Sequence, residues 1–511
     1  MINFIKNFIF IYLILNFLRP KKNLVFDDLN FRKIDFTNYK QVKSFIFKEN
    51  FYKMKNKYVQ NFDFLNFSKN LGGKIGINLS RNTIFKWYKL NKNKIYYPWT
   101  DDLVSKRLIN LLYNYEYINS SSTNTESKNL NKIIFVHIQR NIFEFNKKKI
   151  SEINSFDILG YLLSNILIKN LNNKKINFIN HIIFFQVDKL GVHKSYNLLE
   201  HAKFINNLNE IKNIYLYFNN SNFPKIENLI LKMTSILNQY FHDDGTFPLF
   251  NGTNNNYTKV IFESLNKDVY LKSREFINSK NGIAFYSDKG KKVFFDIVQP
   301  NKDKISSSLS AGTLSFEFSG FGEKIITNCG ASESLSKNPE YLRYSAAHST
   351  IILQNTNISE IKEDNPHIRF PQSVIFNQTS DDEKIIWEGS HNGYLKKFNV
   401  IIKRKIIILK KENKILGEDL FISLNKNHDR IIFHTRFHLT PNISSNFTNN
   451  KKNIILRTKS NHIWLFKSDM ELIEEDSIIV DNNSTELTKQ IVLKGIINKN
   501  KIIKKWSIEK T

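Results

Sequence analysis

The chain is poor in cysteine, proline, glycine and acid. Cys329 is its only cysteine among 511 residues. That excludes an internal disulfide framework and any zinc or iron–sulfur site built from clustered thiolates. Nine prolines and 17 glycines exclude collagen-like and low-complexity classes. No run approaches 18 apolar residues, so no stable membrane span is expected. There is no G-x-S-x-G elbow, P-loop, G-x-G-x-x-G or H-E-x-x-H. Acidic residues number 47 against 75 Lys and Arg, a net charge of +28.

What is present suffices for a large core. Hydrophobic residues are 41% of the chain, with 43 Phe and 21 Tyr, which excludes wholesale disorder. At roughly 100–200 residues per domain, the length suits two to four domains. The charge points to a polyanion: nucleic acid, an anionic membrane or an acidic polysaccharide. Lys, Asn, Ile and Phe dominate, and all four have AT-only codons, so nucleotide bias is a second source of the lysine excess. The basic residues are spread over every segment rather than gathered in a stripe, which argues against nucleic acid.

Near the N-terminus, Phe8–Leu18 is an apolar run broken by Asn16, preceded by Lys6 and followed by Arg19-Pro20-Lys21-Lys22. Eleven residues fall short of the about 20 that span a bilayer. The length matches a signal-peptide core, although no small-x-small cleavage site follows. Read as an export signal or anchor, it implies the cell envelope or periplasm. Read as a buried first helix, it implies the cytoplasm.

The pattern changes character near residue 270. Apolar residues before it recur at helical spacing, in Asp101–Tyr117, Ser155–Asn170 and Ile226–Phe241. Asn119–Asn131 reads as a polar loop between helices. After about 280 come a dozen short β runs with turn punctuation, such as Lys292–Val298, Val400–Leu409 and Arg430–Leu439. The expected fold is multidomain, α then β, with a large antiparallel β-sandwich at the end. Expected boundaries are 1–90 for an irregular cap, 91–270 for the helical domain and 271–511 for the sandwich.

Four of the 12 histidines stand in distinctive settings: His193, His348, His391 and His438. Histidine is the usual proton shuttle near neutral pH. Asp243-Asp244-Gly245 invites a glycosidase reading, but adjacent acids cannot easily flank one sugar, so a turn is expected. Gly417-Glu418-Asp419 likewise reads as a turn between strands, and Phe318-Ser-Gly-Phe-Gly322 as a hairpin turn.

The order of several motifs resembles the heparinase II/III family of polysaccharide lyases. Gly191-Val-His-Lys-Ser-Tyr-Asn197 is similar to its Gly-Gly-His-x-Ser-Arg-Asn segment. Asp244–Gly252 is similar to the segment closing its helical domain. Leu314-Ser-Phe-Glu317, Asn328-Cys-Gly330, Ala346-Ala-His-Ser-Thr350, His391-Asn-Gly-Tyr394, Gly417-Glu-Asp-Leu420, Arg436-Phe-His-Leu439 and Gln490–Leu493 follow in order. The resemblance implies an incomplete α/α toroid joined to the sandwich. It also implies β-elimination at a uronic acid of an anionic polysaccharide, the substrate and partner expected here. That chemistry requires a neutraliser for the uronate carboxylate, a base for the C5 proton and an acid for the leaving oxygen.

Carried over residue by residue, the resemblance makes His193, His348, His391 and Tyr394 catalytic candidates. It makes Lys194, Tyr196, Asn197, Arg343, Arg436 and His438 substrate-binding candidates. His391 and His438 lack a pairing at metal spacing, so neither a metal nor any other cofactor is expected. Four positions depart from the family pattern: Val192 replaces Gly, Ser310 and Thr440 replace His, and Asn392 replaces Asp. The substituted histidines keep open a non-catalytic glycan-binding or envelope-assembly role on the same scaffold. Oligomeric state is open.

Overall fold

The computed structural model describes residues 34–100, 103–219, 224–265, 282–288, 290–301, 308–332, 340–361, 369–424, 430–448, 450–481 and 484–511. The Phe8–Leu18 run and Asp101-Asp102 lie outside them. The chain divides into two compact units. The first holds Met1–Gln186 and Lys203–Leu231, and the second Val187–Ala202 and Lys232–Thr511.

The first unit is helical. Its early helices include Tyr39–Ile46, Phe64–Leu71 and Gly73–Asn91, within a segment whose sequence suggests an irregular cap. Asparagine starts two early helices: Asn38 accepts from Gln41 N, and Asn56 from Tyr58 N. Leu103–Tyr113, Asn124–Lys147 and Ser155–Leu167 pack on one another. The helix at Asn124 begins inside the stretch expected to be a loop. Thr123 and Glu126 close a reciprocal capping box there, which commits the polar residues to a first turn. In the core, the fully buried Arg107 guanidinium lies 4.2 Å from the Trp87 ring and 5.0 Å from that of Trp99. It donates to His137 Nε2 at 3.0 Å and to Pro98 O at 2.9 Å. Burial pushes His137 well below its ordinary value, so the ring is neutral and can accept. No described helix is long and apolar enough to cross a membrane.

The second unit carries the strands. They are β1 (Ile283–Ser287), β2 (Lys291–Asp296), β3 (Phe316–Gly320), β4 (Glu323–Thr327), β5 (Ile351–Leu353), β6 (Val374–Ser380), β7 (Lys384–His391) and β8 (Val400–Leu409). β9 (Lys414–Ser423), β10 (Ile431–Leu439), β11 (Ser444–Phe447), β12 (Asn453–Arg457), β13 (Ile463–Ser468), β14 (Leu472–Asp481), β15 (Ser484–Ile497) and β16 (Lys501–Lys510) complete the order. One sheet runs β1-β2-β3-β4-β10-β15-β14, with β5 also on β10. The other runs β11-β12-β13-β16-β9-β8-β7-β6. Together they form a sandwich. Burial alternates along β8 and β9, as a strand with one face inward requires.

The sandwich core gathers Phe295, Phe316, Trp387, Phe437, Trp464 and Trp506 from both sheets. Phe316 and Trp506 stack at 5.1 Å. Each such side chain contributes about 1.5–3 kcal/mol by leaving water. Gly417 pairs with Trp506 across the ladder, and a Cβ there would lie 2.0 Å from the indole. The Gly417-Glu418-Asp419 segment is therefore mid-strand, not a turn. Asp419 points inward and is neutralised by Arg404, directly opposite on β8. The other two turn readings hold: residues 321–322 link β3 to β4, and Gly245 N closes on His242 O at 3.0 Å.

Candidate functional site

The site is built within the second unit, on a strap, Val187–Ala202. A tight loop opens it. Asp188 Oδ1 accepts from Leu190 N at 2.9 Å and Val192 N at 2.8 Å, while Gly191 takes φ +94°. Val187 and His193 then bridge as in an antiparallel pair. His193 Nδ1 meets Ser195 Oγ at 2.8 Å and accepts from Ser195 N at 3.3 Å, which places its proton on Nε2. Burial pushes His193 down to about 4; Glu200 opposes and Lys194 reinforces the shift. The ring is thus neutral at physiological pH. Asn197 Oδ1 accepts from Leu199 N at 3.0 Å and Glu200 N at 3.1 Å, capping helix Leu198–Asn219. Tyr196 is buried with φ 50°, and Lys194 is half-buried.

Contacts lead from this strap to His348. Leu198 N donates to Thr253 Oγ1 at 3.0 Å, and Ser308 Oγ reaches Ser195 O at 3.5 Å. Asn197 Nδ2 occupies the space beside Gly252, 3.2 Å from where a Cβ would stand. Asn251 Oδ1 accepts from Ser310 N at 3.2 Å. Asp296, at the end of β2, is buried, and burial pushes it up to about 7 against the pull of Val298 N and Asn251. Arg343 grips the same loop: Ala311 N donates to its carbonyl at 2.8 Å, and its Nη2 donates to Leu309 O at 2.9 Å. Ser345 Oγ donates to Ala311 O at 2.7 Å. Gly312 then lies against the His348 ring, since a Cβ there would be 2.8 Å from Cγ.

His348 is 2% exposed, and neither ring nitrogen has a hydrogen-bond partner among the described residues. Burial pushes it down to about 4, with Glu317 opposing. It is a neutral imidazole whose one donor and one acceptor are unused among the described residues. Buried polar atoms left in this state need a cause, and a ligand is one.

A second layer fixes the backbone around it. Asn328 donates through N and Nδ2 to Glu317 Oε1 at 3.1 and 3.0 Å, and its Oδ1 accepts from Ser349 N at 2.9 Å. Glu317 also meets His242 Nε2 at 3.1 Å and Lys324 Nζ at 3.4 Å. The lysine and the histidine hold its carboxyl below its ordinary value although burial acts against them. Glu317 and Asn328 are legible as motif residues, but His242 and Lys324 carry no sequence signal of this role. A cavity of ≈ 280 Å³ borders Lys324 and Thr327 and includes Asp244, Thr440 and Glu486; His193, His348, His391 and Tyr394 do not line it.

The remaining candidates have other engagements. His438 donates from Nε2 to Ala346 O at 3.0 Å and meets Ser477 Oγ through Nδ1 at 2.7 Å, so it braces the His348 segment. Arg436 Nη1 binds Glu475 at 2.8 Å and Gln490 at 3.0 Å. His391, at the end of β7, accepts from Gly393 N at 3.1 Å and leaves Nε2 unpartnered among the described residues. Burial pushes it down to about 3, with Arg404 reinforcing. Tyr394 is fully buried in a core cluster; its hydroxyl serves Ile351 O at 3.2 Å and Thr356 O at 2.9 Å. Cys329 is buried and its thiol is pushed up to about 12, so it is inert. Among the described residues no group of three or more His, Cys, Asp or Glu is arranged to hold a metal ion.

The profile of the family described as heparinase II/III-like, C-terminal, matches residues 279–506. The crystal structure of heparinase III superposes with a TM-score of 0.71 at 10% identity, covering 99% of this chain and 90% of that one. Heparan sulfate lyase HepC from Pedobacter heparinus gives 0.61 at 13% identity, covering 90% and 77%. A Paenibacillus xanthan lyase gives 0.55 at 8% identity, covering 100% and 57%. A search of curated protein sequences finds no match. Identities this low speak for the fold alone. A helical region followed by two antiparallel sheets is the fold of heparinase III, and residues 279–506 are a heparinase II/III-like C-terminal domain.

Proposed function

We propose that the protein is a polysaccharide lyase that cleaves a uronic-acid-containing anionic polysaccharide by β-elimination. The observation that carries the reading is His348: a buried, neutral imidazole with both nitrogens unengaged among the described residues, linked to the His193–Asn197 strap within one unit. His193 is assigned to the uronate carboxylate, whose neutralisation makes the C5 proton more acidic. Lys194 and Arg343 supply positive charge for carboxylate or sulfate groups.

The proton balance needs one residue. The unprotonated nitrogen of His348 takes the C5 proton. The electron pair left on C5 forms the C4–C5 double bond, and the bond from C4 to the glycosidic oxygen breaks. The imidazolium then returns the proton to that oxygen. Burial makes His348 a weak base, and a bound uronate nearby raises its affinity for the proton. His438 braces the segment, His391 lies within the influence of Arg404, and Tyr394 takes no part in proton transfer because its hydroxyl already serves two carbonyls. An envelope or periplasmic setting belongs to the same proposal, and cell fractionation tests it.

Tyr394 also favours a second reading, non-catalytic glycan binding. A lyase that needs a tyrosine as base cannot use a hydroxyl held in the core. The test is ultraviolet absorbance of the conjugated unsaturated uronate on heparan sulfate, alginate, hyaluronan and bacterial exopolysaccharides. Product formation supports the lyase. Retardation in affinity electrophoresis without product supports the binding module.

A further inference from the structure

We infer that the buried Arg404–Asp419 pair is a positioning device for His348. The inference rests on the reading above, in which His348 moves the proton. Arg404 sits inward on β8 and is fully buried. Its Nε and Nη2 bind the two oxygens of Asp419, across the ladder on β9, at 2.7 and 3.1 Å. Trp506 Nε1 adds a third donor to Asp419 Oδ2 at 3.3 Å. Three donors engage the carboxylate, and the planar guanidinium is fixed in one orientation.

The remaining nitrogen, Nη1, then points at the loop segments that lead into β3 and β5 of the other sheet. It donates to Leu314 O at 3.0 Å and to Ser349 O at 2.9 Å. These two carbonyls belong to the segments that frame the His348 ring. Leu314 lies two residues beyond Gly312, which covers the ring face, and Ser349 follows His348 directly. The ring nitrogens make no bond of their own among the described residues, so backbone placement and packing alone set the imidazole. One nitrogen ties both segments together. A buried ion pair returns little net stability after desolvation, so what it supplies here is geometry. Lysine keeps the charge but cannot hold Asp419 and both carbonyls in one plane.

The test uses the full chain with Arg404→Lys, and with Asp419→Asn as the second variant. Side-chain resonances of selectively labelled histidine are recorded through a pH titration, with the His348 signal assigned by its loss in His348→Ala. Initial rates are measured on the best polymer. The inference expects the His348 signal to move and its titration midpoint to rise, while the signal of His137, in the first unit, stays in place. It expects kcat to fall about 100-fold, the cost of roughly 1 Å of misplacement, with KM little changed. An unmoved His348 signal in both variants overturns it. So does a shift of His137 along with His348, or failure of both variants to fold, since each marks a role in general stability. If wild type forms no unsaturated product on any polymer, the lyase reading fails, while the resonances still judge the positioning.

Discussion

Replacing Gly312 by alanine places a methyl group against the face of His348. The added Cβ would stand 2.8 Å from Cγ and 3.1 Å from Cδ2 and Nδ1. Carbon atoms in contact sit about 3.5–4.0 Å apart, so the ring must recede by about 1 Å. Gly312 does not occupy the left-handed region, so alanine brings no backbone strain and the effect belongs to the methyl group alone. Overpacking of this kind costs about 1–3 kcal/mol. A displacement of about 1 Å at a reacting group costs on the order of 100-fold in rate. The assay is twofold: urea unfolding for stability, and the initial rate of unsaturated-uronate formation. The account expects a folded variant with a rate lowered about 100-fold. A folded Gly312→Ala protein with the wild-type rate would refute the placement of His348 at the reacting centre.

Three further outcomes follow from the same geometry. His348 and His193 are each pushed down to about 4, and His391 and His438 to about 3, by burial. The unfolded chain therefore binds protons that the folded chain refuses, so stability is complete above about pH 6.5 and drains as pH falls toward 4. Each group accounts for on the order of 3 kcal/mol, and denaturant midpoints that stay flat from pH 6.5 to 4 would contradict this. Asp419→Ala strands a buried guanidinium and should destabilise by about 3–5 kcal/mol, whereas the double change Arg404→Met with Asp419→Leu should cost far less. Equal losses in the two proteins, read by urea unfolding, would show that packing rather than charge matters there. Tyr394→Phe removes the single O–H that two carbonyls share and should lose about 1–3 kcal/mol of stability while keeping turnover per folded molecule. Abolished turnover in a folded Tyr394→Phe protein would return that hydroxyl to the chemistry.

The order of helices and then strands is legible because hydrophobic spacing switches from 3.6 to 2, as β8 shows residue by residue. What escapes local reading is pairing over distance. Gly417-Glu418-Asp419 has the composition of a turn, and nothing nearby reveals that Arg404 neutralises Asp419 from the next strand. The helix start at Asn124 hides in a run of Ser, Thr and Asn whose capping signal is two residues, Thr123 and Glu126. The family resemblance picks out His193 and His348 as motif residues. It cannot show that His348 keeps both nitrogens unengaged among the described residues, or that Tyr394, three residues after His391, turns its hydroxyl into the core. Those differences depend on Gly312, Ile351 and Thr356, which only the folded chain brings near.

The most direct measurement is the ultraviolet absorbance of product over time, for wild type and His348→Ala, on the panel of uronic-acid polysaccharides. The account predicts unsaturated uronate from wild type on at least one polymer, and none from a His348→Ala protein with wild-type unfolding behaviour. Wild type without product on the whole panel, or His348→Ala with undiminished product, would contradict it.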